Sequence, residues 1–171
     1  MQALRKLPFF DRPTVIKVAD TTIPIRPYQI IVWISLGSND SLEADAARFP
    51  AVLDTGHNHN LSIRQEQFES WAGRQVETSR RSGSILVNRQ DVPLYAANLW
   101  IHRNRPGTSE LLPRPVRLAV PQGIAVYPRG LATAPRLPLL GVRALVTSGL
   151  RLTISSGSMS VSLAHERPAR P

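Results

Sequence analysis

Short apolar segments with strand-like alternation dominate the chain and predict a mainly β protein. The segment 14–18 alternates apolar and polar positions, and 28–36 is a β-rich apolar run that ends at a Gly-Ser-Asn-Asp turn. Similar patterns predict further strands at 83–88, 92–102, 116–120, 124–127, 150–154 and 159–163. The fifteen prolines favour short helices and irregular β structure, because proline has no N–H to donate.

Two short helices are expected to interrupt this β pattern. In the first, Ser62 and Gln65 have the spacing of a capping box, and Gly73 is the expected end. The second covers 141–148 and ends before Gly149. The fold class predicted from the residues is therefore mainly β with two short helices.

Length and composition indicate one globular domain. The chain has 171 residues, of which 42% are hydrophobic and 19% charged. We expect the domain to cover 26–163, with a flexible tail at 164–171. The segment 1–25 is either a removable pro-segment or an integral added strand. No apolar run is long enough to span a bilayer, and we expect a soluble, cytoplasmic protein without membrane contact.

Charge and cysteine content exclude some classes of function. The absence of cysteine rules out disulfides, thiol catalysis and thiolate metal sites. A net charge of +9 raises the question of a nucleic-acid partner. However, the basic residues are spread from Arg5 to Arg170 without interleaved aromatic residues, which argues against nucleic acid and favours a solvated basic surface. An arginine-rich groove that prefers acidic peptides remains an open alternative.

The tripeptide Asp54-Thr55-Gly56 is the best candidate for an active-site loop. It follows the apolar segment 49–53, so a predicted buried strand delivers a carboxylate to a tight turn. None of the other aspartates is followed by Thr-Gly or Ser-Gly. The alternative interpretation is an aspartate that accepts backbone N–H bonds in a turn and has no catalytic role.

A second motif, Leu139-Leu140-Gly141, precedes the predicted helix at 141–148. Together, the segment 52–56 and this second motif resemble the retropepsin-like aspartic proteases. In that family an apolar strand ends in Asp-Thr/Ser-Gly, and a later apolar pair plus glycine opens a short helix. The resemblance covers approximately 26–163 and implies an acid-protease-type β-barrel, closed or partly open, with one lobe per chain.

The resemblance also implies a mechanism and an oligomeric state. Two carboxylates must share a proton across the attacking water, and this chain offers only Asp54. We therefore expect a homodimer that places Asp54 from each subunit at a two-fold axis, acts on an extended peptide or protein and needs no cofactor. The alternative is a non-catalytic peptide-binding or assembly module on the same fold.

The resemblance gives roles to the neighbours of Asp54. Thr55 would hydrogen-bond across the axis, and Gly56 would let the substrate backbone approach. The motif residues Leu139, Leu140 and Gly141 would pack under the loop and support it.

The resemblance further implies a hairpin flap that closes over the substrate. The candidate is the hairpin 85–95, with Asn88, Arg89, Gln90 and Asp91 at its turn. Its tip lacks the glycines that such flaps carry.

His57 departs from the small residue that the family places after the glycine. Two outcomes are open: its imidazole donates to the carboxylate and moves the pH optimum toward neutral, or it blocks a subsite. His57 and His59 could also bind a metal with Asp54 as a third ligand, although a polar loop without a metal is favoured.

Overall fold

The computed structural model describes residues 2–166, and strands dominate it. Strands account for 45% of the described residues and helices for 7%. The helices are α1 (Gln65–Ser70) and α2 (Val142–Thr147). The strands are β1 (Gln2–Pro8), β2 (Thr14–Val18), β3 (Thr21–Ile25), β4 (Ile31–Gly37), β5 (Phe49–Asp54), β6 (Leu61–Arg64), β7 (Arg81–Val87), β8 (Gln90–Tyr95), β9 (Asn98–Ile101), β10 (Val116–Leu118), β11 (Ile124–Tyr127), β12 (Leu139–Gly141), β13 (Leu150–Ser155) and β14 (Ser160–His165). The predicted mainly β class with two short helices is confirmed.

Nine strands form the main sheet, in the order β10-β9-β4-β5-β12-β6-β11-β8-β7. The two outermost strands, β10 and β7, do not pair with each other, so the sheet stays open. The closed form of the expected barrel is therefore wrong, whereas the acid-protease type of the fold stays a prediction. Two smaller sheets, β1-β14-β13 and the hairpin β2-β3, complete the architecture of the described residues.

The two faces of β5 contact different parts of the core. Leu53 lies in the main hydrophobic cluster, together with Phe68 of α1 and Leu145 of α2. Val52, one residue earlier, lies in a second cluster that the β2-β3 hairpin covers. Because side chains alternate across a strand, the same face that holds Val52 also presents Asp54.

The N-terminal segment contributes three strands, β1, β2 and β3. β1 pairs antiparallel with β14, and β2 and β3 form a hairpin, so most of 1–25 lies in strands. At the other end, Ala164 and His165 belong to β14 and not to a flexible tail. The rest of the predicted tail from residue 167 onward lies outside the described residues. No helix in the described part is long and apolar enough to cross a membrane.

Several predicted boundaries differ from the observed ones. Ser62 lies in β6, and α1 begins only at Gln65, where the Gln67 side chain accepts a hydrogen bond from the Arg64 N–H at 3.4 Å. The predicted strand 92–102 is two strands, because β8 pairs with β11 whereas β9 pairs with β4. The predictions at 14–18 and 124–127 have the observed bounds.

A buried asparagine fixes the N-terminal strand to the loop after β9. The side chain of Asn104 accepts a bond from the Arg5 N–H at 2.8 Å and donates to the Arg5 carbonyl at 3.0 Å. It also donates to the carbonyls of Arg105 and Thr108. Asn104 is 1% exposed, so water cannot replace these bonds.

We expect Asn104→Ala to lower the free energy of unfolding by about 3 kcal/mol, because it leaves buried backbone groups without partners. Urea denaturation measures the change. Asn39→Ala, on an exposed turn, serves as the control and should change stability by less than about 0.5 kcal/mol. Equal effects of the two substitutions would contradict the role assigned to Asn104.

A buried Ser-His pair joins β4 to the end of β9. The Ser35 hydroxyl donates to the Ala47 carbonyl at 2.7 Å, so its oxygen is left to accept from His102 Nε2–H at 2.8 Å. His102 Nδ1 has no partner, and the residue is 2% exposed. Burial, aided by the positive charge of Arg48, lowers the pKa of His102 to about 4.

This shift makes stability depend on pH. In the unfolded chain His102 binds a proton near its ordinary pKa of 6.5, whereas in the folded chain it binds one only near pH 4. The contribution of His102 to the free energy of unfolding is therefore at its maximum above about pH 6.5. As the pH drops toward 4, protonation of the unfolded chain lowers the free energy of unfolding by up to about 3 kcal/mol. His102→Gln should remove most of this fall in denaturation series between pH 7 and pH 4, whereas His165→Gln should keep it. An unchanged slope in His102→Gln would contradict the assignment.

Candidate active site

Asp54 lies at the carboxyl end of β5, directly beside Gly141. β12 pairs parallel with β5, which aligns Leu140 with Leu53 and Gly141 with Asp54. The same short strand pairs antiparallel with β6, so it is inserted between the strands before and after the Asp54 loop. The fold therefore brings together the two motifs that lie far apart in the sequence.

The insertion of β12 requires glycine at position 141. A Cβ there would lie 2.6 Å from the His57 carbonyl oxygen and closer still to that of His59. The Gly141 N–H donates to the Asn60 carbonyl at 3.0 Å. The loop after Asp54 thus wraps around the end of β12, and its shape depends on the missing side chain.

The backbone of the loop holds the Asp54 carboxylate. The Gly56 N–H donates to Asp54 Oδ1 at 2.9 Å, and the His57 N–H donates to the Asp54 carbonyl at 3.2 Å. Asp54 is half-buried, whereas the other five aspartates are exposed. An ionised carboxylate fixed in this way can accept a proton from a water molecule in front of it.

Thr55 and Gly56 lie at the exposed tip of the loop. The Thr55 hydroxyl makes no hydrogen bond to any of the described residues. It is thus accessible to a group outside this chain. Leu140 is fully buried in the main hydrophobic cluster, and half-buried Leu139 packs against the second cluster. Their role in supporting the loop stays a prediction.

The imidazole of His57 lies close to Gly141. Its Cδ2 atom would lie 3.1 Å from a Cβ at Gly141, and its Nε2 is buried without a partner. Burial and the neighbouring His59 lower the pKa of His57, against an opposing effect of Asp54. A hydrogen bond from this ring to the carboxylate is not observed.

His59 contacts His57 edge-on, with ring centroids 5.4 Å apart. Burial and the charge of Arg143 lower the pKa of His59. Among residues 2–166, no three His, Cys, Asp or Glu side chains are grouped so that they could hold a metal ion. The structure therefore gives no support to the alternative of a metal site at His57, His59 and Asp54.

The candidate flap is an antiparallel hairpin of β7 and β8, with a register shift between Arg81 and Gly83. Asn88 and Arg89 form its two-residue turn with positive φ angles, and Gln90 and Asp91 begin β8. Asp91 forms an exposed ion pair with Arg81 of β7. The hairpin is confirmed, whereas its role as a flap stays a prediction.

The hairpin also contacts the loop that leads into β12. Gln90 lies within hydrogen-bond distance of Thr133 in that loop. Ile85 and Val87 pack against the same small cluster, formed by Val92, Ala125 and Tyr127, as Leu131 and Ala134 of the loop. A contact between the hairpin and the loop before Gly141 is thus built into the fold.

Asn60 is a structural residue of the loop that the sequence analysis missed. It is 3% exposed, its carbonyl accepts the Gly141 N–H, and its side chain donates to the Gly123 carbonyl at 3.1 Å. It therefore links the loop to the start of β11. Its position in the polar run 57–60 gave no periodic signal of burial.

No protein-family model, curated protein or solved structure matches this chain. The local geometry of the Asp54 loop therefore has to support any functional assignment. The relevant features are the register of β12 with β5, the crowding at Gly141 and the bond that holds the carboxylate.

Gly141→Ala should lower the free energy of unfolding by about 3 kcal/mol or more, because the new methyl group overlaps two loop carbonyls. Gly157→Ala, at a position with open space around the new methyl group, should change it by less than about 1 kcal/mol. Thermal and urea denaturation of both variants test this. Equal stability of Gly141→Ala and wild type would show that the loop does not wrap around β12 as described.

Proposed function

We propose that the protein is an aspartic endopeptidase of the retropepsin-like type, active as a homodimer. The observation that carries this proposal is the alignment of Gly141 with Asp54 on adjacent parallel strands. The two sequence motifs of the resemblance are separated along the chain, and chance matches would have no reason to meet in register. Their contact favours a shared site over two unrelated short motifs.

The homodimer supplies the second carboxylate. The other five aspartates are exposed, and two of them, Asp40 and Asp91, form ion pairs with arginines. A two-fold axis beside the exposed tip of the loop would bring a second Asp54 to face the first. Thr55, accessible and without a hydrogen-bond partner for its hydroxyl among residues 2–166, would then bond to the opposite loop.

The chemistry follows from two facing carboxylates that share one proton. The ionised Asp54 accepts a proton from the water as the water oxygen attacks the scissile carbonyl carbon. The protonated Asp54 of the other subunit donates its hydrogen bond to the carbonyl oxygen. Collapse of the tetrahedral adduct breaks the C–N bond, and the leaving amine takes a proton from the pair. Atoms and charge balance without a cofactor.

A second candidate function is peptide binding without cleavage. β7 lies at the edge of the main sheet, most of its residues are exposed, and Leu86 is 74% exposed. Such an edge can accept an extended peptide as an additional strand. Both functions use an extended peptide, but only the first requires Asp54.

Asp54→Asn should reduce peptide cleavage by about 10³-fold or more, because the amide cannot accept the proton of the attacking water. The measurement is cleavage of a peptide library from pH 3 to pH 8, with dimerisation followed by sedimentation. Asp45→Asn changes the same charge at an exposed position and should retain wild-type cleavage.

The outcomes separate the two candidate functions. Cleavage that survives Asp54→Asn in a folded dimer would remove the catalytic assignment. Peptide binding without cleavage by the wild-type dimer would favour the binding module. A wild-type protein that is active as a monomer would contradict the shared carboxylate pair.

A further inference from the structure

An open cavity of about 290 Å³ lies one step along the sheet from Asp54. Val52 and Leu139 line it and are paired neighbours on β5 and β12, just as Asp54 and Gly141 are. Because two residues along a strand span about 6.7 Å and return to the same face, the cavity lies on the Asp54 side of the sheet. It is therefore within reach of a peptide bound at Asp54.

The floor of the cavity is apolar and its rim is basic. Val52, Leu137 and Leu139 give the apolar surface, and Arg26 and Arg136 stand at the rim. Both arginines are exposed. Such a cavity suits a side chain with an apolar stem and a negative end.

The two arginines lack anionic partners among residues 2–166. The ion pairs of the described chain involve Arg81, Arg105, Arg117 and Arg129. Arg136 donates one hydrogen bond, to the Pro24 carbonyl at 2.7 Å, which holds its guanidinium near the β2-β3 hairpin. The remaining N–H groups of Arg136, and the whole guanidinium of Arg26, stay free to bind an anion.

Backbone contacts fix the rim. The Arg26 N–H donates to the Gln29 side chain at 2.9 Å, and Gln29 itself lines the cavity. On the opposite side, Arg64 donates to the Pro135 carbonyl at 2.7 Å and Gln67 to the Arg136 carbonyl at 2.8 Å. The two segments that carry the arginines are thus held in place before any ligand binds.

We propose that this cavity is a specificity subsite for an acidic side chain, glutamate before aspartate, within about two residues of the bond that faces Asp54. The inference rests on the proposed function. The carboxylate binds between Arg26 and Arg136, and the two methylene groups of glutamate lie on Val52 and Leu139. Aspartate has one methylene fewer and covers less of the apolar floor.

Binding and cleavage are measured separately, so the subsite can be tested apart from catalysis. Asp54→Asn protein is titrated with fluorescent extended peptides that differ only in Glu, Gln or Lys at one position, scanned along the peptide. The Glu peptide should bind about tenfold more tightly than the Gln peptide at low salt and lose most of this preference at 0.5 M salt. Wild-type cleavage of the same peptides gives the second readout.

Arg26→Gln and Arg136→Gln, each added to Asp54→Asn, should each reduce the Glu preference about threefold, since exposed ion pairs are individually weak. Both changes together should abolish it. Arg151→Gln removes the same charge from an exposed site on β13 and should leave the preference unchanged. Replacement of both rim arginines by glutamate should invert the preference toward the Lys peptide.

Failure of the subsite and failure of the protease assignment give different results. Equal affinity for Glu and Gln peptides, with cleavage intact, would overturn the subsite alone. A Glu preference that depends on Arg26 and Arg136, without any cleavage by the wild-type dimer, would support the subsite and remove the protease. A Glu preference that Arg151→Gln weakens as much as the rim changes would also overturn the subsite, because it would reflect overall charge.

Discussion

The three residues of β12 hold the candidate site together, since they pair with β5 on one side and with β6 on the other. Without β12, the loop after Asp54 would connect β5 and β6 with no strand paired between them. The insertion requires that residue 141 have no side chain, because the loop carbonyls of His57 and His59 occupy that space. It also requires a contact between segments that are far apart in the sequence.

Much of the fold followed from local patterns, but the insertion did not. Alternation located β2 and β11 with their observed bounds, because each is a short strand flanked by turn residues. β12 was not predicted as a strand, since three residues are too few to show a period. Ser62 was assigned to a helix because its spacing to Gln65 imitates a capping box, whereas pairing with β11 and β12 places it in β6.

Only part of the candidate site could be predicted from the sequence, again because local patterns do not reveal long-range contacts. Asp54 could be found because its motif is contiguous, and the resemblance supplied Gly141 as its companion. Arg26 and Arg136 carried no signal, because each is one of many dispersed arginines and their proximity depends on the β2-β3 hairpin. The prediction of a closed barrel is wrong because closure depends on whether the outermost strands pair with each other. Neither sequence motif contains that information.

The positive charge of this protein is most informative at the positions where arginines have no acidic partner among residues 2–166. A net charge of +9 alone would attract any anion, and its field is screened beyond about 8 Å at physiological salt. Arg117 and Arg129 show that ion pairs with Asp40 and Glu69 occur elsewhere on this surface. At the cavity beside Asp54, two arginines instead face an apolar floor without an acidic partner in the described chain. An acidic peptide side chain would complete that arrangement, and it would simultaneously align the peptide along β5 toward Asp54.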